Sequence, residues 1–598
     1  MIQQFLDTLD KALKLLQIKG DNDILVHNIE ELFRTCPDLP SEHILKNSIK
    51  DDILISLFED IKTGKDNNFY TSLIEEYPES LLELWDIPDI NPEIIKNLRK
   101  SLNVTSLYEL QGFFLFSPEK IAALPAMPLT TMESMYKYFK KKDEEIPQTF
   151  LNLEGRLYEE IVIDFFKEYL GDNWHIHSVG EVRRALPLIK RLEILITSPK
   201  MDFPPSYEFC EKLEDSFLNY IFTHQSSMKQ LLRFQEGRRP PLERTQSVSK
   251  LQNTFIDFIL PSSLPLRIWF CQYQTLALEL VKKTSSDLHW KKLEPYIYQP
   301  DREQACLFPT TEKIEEEFYN SLKMSYIPPE VREGEEEIPL ALKGELPEFI
   351  KISDIKGDLH IHTCWSDGKN TIEQMIAMAQ CLGYEYIGIS DHTRAVQIVP
   401  GLDVNLIKKQ ISQIKNLNKS FNGKFTILAG SEVDIMPDGS VYFPDAILKE
   451  LDIAIASLHL ESNCSPKTLY NRMVKVLDNP YIDAIAHPTG RILHVRESYK
   501  IDWKEIFKII LQKGKALEIN CTSNRFDLPE EFIKLAVKMK IPLLLDTDSH
   551  SATGMKMMSL GVSHARRGWA CEKDILNTRS LENLKLWVKN RRLKEGIL

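Results

Sequence analysis

Gly357-Asp358-Leu359-His360-Ile361-His362-Thr363-Cys364-Trp365-Ser366-Asp367-Gly368 begins as an apolar, alternating strand and ends in a polar turn. Side chains of a strand alternate between its faces, so His360 and His362 project together and can grip one metal ion. Asp367, just past the strand, can reach a neighbouring ion. His-x-His also occurs in half-buried strands that bind nothing, so the reading depends on whether the rest of the chain supplies partners.

Partners recur at the ends of short apolar runs. Tyr386 to Ser390 ends at Asp391-His392, and Phe425 to Gly430 runs into Glu432 and Asp434. Ile453 to Ser457 leads to His459, Ile482 to Ala486 leads to His487, and Pro542 to Leu545 leads to Asp546, Asp548 and His550. Amphipathic stretches such as Thr371 to Cys381 and Pro529 to Lys540 predict helices between them. The alternation predicts a β/α barrel that gathers these side chains on one rim. Imidazole with carboxylate suits Zn, Mn or Fe and argues against an all-oxygen Mg or Ca cage.

Over about residues 348–598 these motifs resemble the PHP (polymerase and histidinol phosphatase) domain, a distorted β/α barrel of metal-dependent phosphoesterases. The resemblance implies up to three divalent ions. His360, His362, Glu432 and Asp548 would hold the first. Glu432, bridging, would hold the second with His459 and His487, and Asp367, His392 and His550 the third. Arg491 follows His487-Pro488-Thr489-Gly490, and Arg525 follows Glu518 to Asn524, both on loops at the same rim. A planar guanidinium matches phosphate with paired hydrogen bonds, so both are expected to clamp substrate, the alternative being a structural ion pair. Asp391 is expected to orient a ligating histidine. Trp365 is read as a base-stacking surface or an ordinary wall residue. Cys364 and Cys521 are read as buried bystanders, and His494 and His564 as surface or packing residues.

The preceding half resembles bacterial family X DNA polymerases. Residues 1–95 predict a helical N-terminal domain, with Phe5, Leu9, Leu13 and Leu16 at helical spacing. Leu15 to Asn22 resembles that family's opening. Residues 96–145 are expected to hold a degenerate helix-hairpin-helix and fingers. Leu84 to Pro92 and Leu124 to Pro128 stand where glycine-rich hairpins would bring amides onto a DNA phosphate. Asp89 and Asn91 replace those glycines and Pro128 offers no amide hydrogen, so both turns are expected to be structural.

Residues 146–325 resemble a nucleotidyltransferase palm and thumb. Val179-Gly180-Glu181-Val182-Arg183-Arg184 keeps the spacing of a Gly-Ser-x-Arg-Arg pattern, but Arg191 and Glu193 stand where Asp-x-Asp belongs, and Pro265 where a third aspartate belongs. Two-metal transfer needs those carboxylates. Thr284 to Trp290 similarly replaces a nucleotide-binding motif, with Asp287 in place of a lysine. Residues 326–347 read as an acid-rich linker.

Among 598 residues, 43% are hydrophobic and 27% charged, an ordinary soluble composition. No apolar run is long enough for a membrane span, and scattered cysteines predict reduced thiols and a cytoplasmic location. A net charge of -13 argues against indiscriminate nucleic-acid binding without excluding a local basic groove. The expected fold is multidomain α/β: a helical N-terminal region, an α+β palm and a C-terminal distorted β/α barrel. The expected function is a metal-dependent phosphoesterase of DNA repair, acting on DNA 3′ ends or single strands as a 3′-to-5′ exonuclease or end-processing enzyme, without polymerase activity. The alternatives are a phosphatase for a small phosphomonoester and a scaffold that binds DNA or protein.

Overall fold

The computed structural model describes residues 2–596 apart from 21–22, 36–44, 46–47, 64, 66, 108–109, 111–112, 115–117, 126, 145–148, 233–250, 253, 261, 263, 299–312, 396–399 and 461–463. Asp21, Asn22 and Ala126, each part of a polymerase-like signature, lie outside the described residues.

The first helix, Ile2–Lys19, buries Phe5, Leu9 and Leu16 as its spacing predicts. One apolar core then runs from Phe5 to Phe139. The expected division at 95/96 falls inside this core. It would cut the helix Pro92–Leu102, whose Ile94, Ile95 and Leu98 are all buried in it. Asn91 caps that helix by accepting from the amide of Ile94 at 3.0 Å. Asp89 adopts φ 63°, the conformation a hairpin glycine would supply, and its carboxylate accepts from Ser134 Oγ at 2.6 Å.

The middle region carries β1 (Phe150–Leu151), β2 (His175–Val179), β3 (Leu188–Ile189), β4 (Leu192–Thr197), β5 (Leu251–Gln252), β6 (Phe255–Ile259) and β7 (Pro265–Phe270). Five of them form a mixed sheet in the order β2-β4-β7-β6-β5. The expected linker 326–347 is a packed element: Ile327, Val331, Ile338 and Ala341 share a core with Leu280, Leu293 and Phe318. Arg332 within it is fully buried and bonds Glu315 at 2.8 Å.

The last region is a parallel, seven-stranded sheet of β8 (Gly357–Ile361), β9 (Tyr386–Ile389), β10 (Thr426–Asp434), β11 (Ile453–Ser457), β12 (Ala484–Ile485), β13 (Ala516–Asn520) and β14 (Leu543–Asp546), in sequential order. Helices such as Ile372–Cys381, with Thr371 closing a capping box, connect the strands and pack on their outer faces. The barrel closes where the His362 amide donates to the Ser549 carbonyl at 2.9 Å and the Leu359 amide to Asp546 Oδ1 at 2.7 Å. The pairing of β8 with β9 shifts register between Asp358 and Ile361, the stretch that carries His360.

Below the rim the interior is apolar: Leu359, Tyr386, Leu428, Ile453, Ile455, Ala484, Ala516 and Leu544 form one cluster, joined from below by Leu576 and Leu584. The helix Leu581–Lys594 is tied on by Arg591 and Arg592, which grip the buried Asp483; Arg592 Nη2 lies 2.7 Å from its Oδ2. Asp483→Ala strands two buried guanidinium groups, so chemical denaturation should register a loss of about 3–5 kcal/mol for the barrel. A change within measurement error would show that the helix does not depend on this pair.

Candidate metal centre

Each strand end delivers its side chain to the rim because the strands are parallel and in sequential order. His360 leaves β8 itself and Glu432 leaves β10, while His362, His392, His459, His487, Asp548 and His550 follow the ends of β8, β9, β11, β12 and β14. The Asp367-Gly368 turn folds back on the strand, and a Cβ on Gly368 would meet the His362 carbonyl carbon at 2.6 Å, so only glycine lets Asp367 approach. His487 and Asp548 adopt φ 26° and 51°, backbone strain of the kind that collects at functional sites.

Glu432 is the hub. Its Oε2 lies 3.4 Å from His360 Nε2, 3.6 Å from His362 Nε2 and 2.9 Å from His392 Nδ1. Its Oε1 lies 3.2 Å from His459 Nε2 and 2.7 Å from His487 Nε2. Asp548 Oδ1 is 3.0 Å from His362 Nε2, and Asp367 Oδ2 is 3.1 Å from His550 Nε2 and 3.6 Å from His392 Nε2. Three groups have donor atoms close enough to share an ion: His362, Asp367, His392 and His550; His360, His362 and Asp548; and His392, Glu432 and His459. Every expected ligand is therefore brought to one rim. His362 and His392 each join two groups, where the expectation gave each a single ion, and His487 reaches the cluster through Glu432.

The donor set fits a metal. His360 Nε2, both ring nitrogens of His362, His392 Nδ1 and Glu432 Oε2 are buried without a hydrogen-bond partner. Buried polar atoms are normally satisfied, and orphans converging on one point ask for a cation. The local field is divided. Burial, aided by the charges of His550 and His392, lowers His362 to about 3, and burial with Arg525 lowers His487 to about 3. Against burial, Asp367 lifts His550 to about 9. Burial opposes ionisation of Glu432, yet His459, His392 and His360 hold it well below the usual carboxylate range.

Some expected roles change. Asp391 orients no histidine; its carboxylate accepts from Thr363 N, Thr363 Oγ1, Ser366 Oγ and Gln410 Nε2, all at 2.6–2.7 Å, and so fixes the loop leading to Asp367. Arg491 is placed as a brace: Nε donates to the Arg525 carbonyl at 3.0 Å and Nη2 to that of Phe526, so the group expected to clamp phosphate holds the 525–526 backbone. Arg525 is half-buried and close enough to His487 for its charge to lower that pKa. Cys521 is buried as expected, whereas Cys364 is exposed. Trp365 donates to Gln413 at 3.1 Å and packs on the barrel's outer core. His564 is buried on the Leu528 carbonyl and His494 contacts Thr149.

The histidine-orienting carboxylates are Glu518, 2.6 Å from His360 Nδ1, and Asp434, 3.0 Å from His459 Nδ1. Sequence reasoning passed over both. The available signal was a glutamate inside the apolar run Ala516 to Ile519, since a charge in a buried strand demands a partner.

In the palm, Glu193 spends its carboxylate on the Trp269 indole at 3.0 Å, and Arg267 pairs with Asp257 at 2.7 Å. Arg183 bonds Glu315, and Arg184 bonds Glu333 at 2.9 Å. His289 is buried against Glu337 at 2.6 Å.

Strand-end imidazoles and carboxylates on a parallel barrel define the class as a PHP domain protein, and the family profile described as PHP domain matches residues 358–522. Part of that domain is 30% identical, over 204 residues, to a "Probable phosphatase" of Clostridium novyi, the match covering 32% of this chain and 78% of that protein. Over nearly its whole length the chain is similar to a bacterial family X DNA polymerase. Over 550 residues it is 29% identical to the DNA polymerase/3'-5' exonuclease PolX of Bacillus subtilis (strain 168), the match covering 89% of this chain and 88% of that one. Among solved structures, a Lactococcus lactis histidinol phosphate phosphatase complexed with Zn, L-histidinol and phosphate matches at 17% identity and TM-score 0.26, covering 41% of this chain and 94% of its own.

Glu432 touches more of the cluster than any ligand at its edge, so Glu432→Ala should lose more bound metal, by elemental analysis, than His550→Ala. Equal metal content in the two variants would remove Glu432 from its bridging place.

Proposed function

We propose that the chain is a metal-dependent phosphoesterase that degrades or clears DNA 3′ ends, and that its polymerase-like half does not polymerise. The observation that carries the reading is the buried, convergent set of imidazoles and carboxylates around Glu432 with its orphaned donor atoms. The ligand assignment is His360, His362, Asp367, His392, Glu432, His459, His487, Asp548 and His550, for up to three ions among Zn, Mn and Fe. Bound ions of this kind supply an activated water and neutralise charge at phosphorus and the leaving oxygen.

The residues' own contributions follow from their placement. His362 and His487, held neutral by burial, offer lone pairs toward the centre. Arg525 at the rim is the proposed phosphate clamp, with Arg491 holding its backbone in position. No protein nucleophile is required. Residues 348–598 carry the catalysis, 146–325 the palm, and 1–145 the N-terminal helical part; the setting is cytoplasmic DNA repair. DNA as substrate is favoured by the whole-chain likeness to a protein named for 3'-5' exonuclease activity. A phosphatase for a small phosphomonoester is the second reading, favoured by the barrel's likeness to proteins named probable phosphatases.

With Mn or Zn added, the protein should shorten end-labelled single-stranded or recessed DNA from the 3′ end, and the His360→Ala, His362→Ala double variant should not, while keeping its circular dichroism. Digestion by the double variant at the parent rate would defeat the nuclease reading; hydrolysis of p-nitrophenyl phosphate without attack on DNA would install the phosphatase. Arg525→Ala should retain metal and lose roughly ten- to hundredfold in turnover, the worth of a charge-assisted contact of about 1.5–3 kcal/mol.

The palm is expected to be inert because Arg191 and Pro265 replace carboxylates and Glu193 alone cannot hold two ions. No primer extension should occur with the four nucleotides in Mg or Mn. Template-dependent extension abolished by Glu193→Ala but not by His360→Ala would restore polymerase activity to this half.

A further inference from the structure

β13 is the barrel strand that contributes none of the proposed ligands, yet it faces the centre with two polar side chains two residues apart, Glu518 and Asn520, both fully buried. Glu518 Oε1 lies 2.6 Å from His360 Nδ1. Its Oε2 accepts from the His487 amide at 2.5 Å and from Asn520 Nδ2 at 3.1 Å. Asn520 Nδ2 also donates to Asp548 Oδ2 at 3.1 Å, and Asn520 Oδ1 accepts from the Thr522 amide at 3.0 Å. The pair thus touches residues delivered by β8, β12 and β14.

We infer that Glu518 and Asn520 are positioning residues that preset the metal centre from the ligand-free strand. The inference rests on the metal reading above. A carboxylate on Nδ1 makes that nitrogen the donor and leaves His360 Nε2 as the lone-pair atom, aimed at Glu432 Oε2 and Asp548 Oδ1, 3.4 and 3.6 Å away. Asn520 occupies Asp548 Oδ2 and leaves Oδ1 for the centre. The His487 amide hydrogen, satisfied by Glu518, anchors the backbone of a ligand held at positive φ. Glutamine cannot serve all these partners. Its single oxygen can accept from His360 Nδ1 or from the His487 amide, and its NH2 group then faces a donor or forces the wrong tautomer on His360.

Calorimetric titration of the full chain with Mn and with Zn tests this, alongside circular dichroism and the thermal midpoint of the metal-free protein. Glu518→Gln should keep the parent's spectrum and metal-free midpoint while weakening metal binding by about ten- to hundredfold. Asn520→Ala, which removes the link to Asp548 together with the contacts to Glu518 and the Thr522 amide, should weaken it by about tenfold and carries the test if the glutamine variant fails to fold. Tight binding by the parent, weak binding by His360→Ala and parent-like binding by both β13 variants overturn this inference and leave the metal reading intact. A parent that binds neither ion overturns the metal reading and this inference together.

Discussion

The fully buried carboxylate of Glu432, set among the imidazoles of His360, His362, His392, His459 and His487, is the constraint that the barrel is arranged to meet. A lone ionised carboxylate moved from water into an apolar interior would cost far more than a domain's net stability, so it requires positive partners. Protons alone meet that demand poorly, because imidazolium groups whose ring centres lie only 4.2–4.3 Å apart, as those of His362 do from His550 and His392, repel one another. The field accordingly splits them, raising His360, His392 and His459 while lowering His362 and His487. Under the proposed function a divalent cation resolves the conflict, since every imidazole can then be neutral and every carboxylate charged.

This polar layer can be placed so high in the barrel because the layers beneath it do not need it. The interior cluster from Leu359 to Leu544 and the much larger outer core between strands and helices supply the apolar burial. Closure of the sheet is assigned to other carboxylates: Asp546 accepts from the Leu359 amide, and Asp358 from the Thr547 amide at 3.2 Å, so side chains knit a seam that regular strand pairing leaves open. Rim chemistry and fold stability are thereby divided between different residues of the same strands.

The polymerase-like half is organised by charge in a different way. Arg184 and Arg567 both bond Glu333, at 2.9 and 2.8 Å, and Arg567 reaches Glu530 as well. Arg332 and Arg183 converge on Glu315, which burial would neutralise but which these two cations lower to about 2. Arg183 and Arg184, the arginines of the stretch that resembles Gly-Ser-x-Arg-Arg, are thus turned inward onto Glu315 and Glu333. The segment 326–347, read as an acid-rich linker, is the element that joins palm to barrel, through Glu333 on one side and through Lys534 on Glu335 at 2.7 Å on the other. Its run of glutamates looked like solvated linker composition; what the composition could not show is that distant arginines would be waiting for several of them.

The same distinction explains which parts of the site were legible. His360-x-His362, Asp548-x-His550 and the strand-end residues between them are readable because ligand geometry there follows from strand alternation and from the parallel order of the strands, both local regularities. Asp391 is misassigned, and Glu518 and Asp434 go unread, because their partners come from other elements of the fold, and the adjacency of Asp391 to His392 in the chain says nothing about adjacency of their side chains in space. Consecutive residues at a strand end point to opposite sides: His392 turns in to Glu432, while Asp391 turns out to Gln410 and the Thr363 loop. Arg491 and Arg525 sit on loops, where direction is set by backbone torsions that composition does not encode. Residues near each other in sequence at a barrel rim are therefore the ones whose roles most need the fold before they can be assigned.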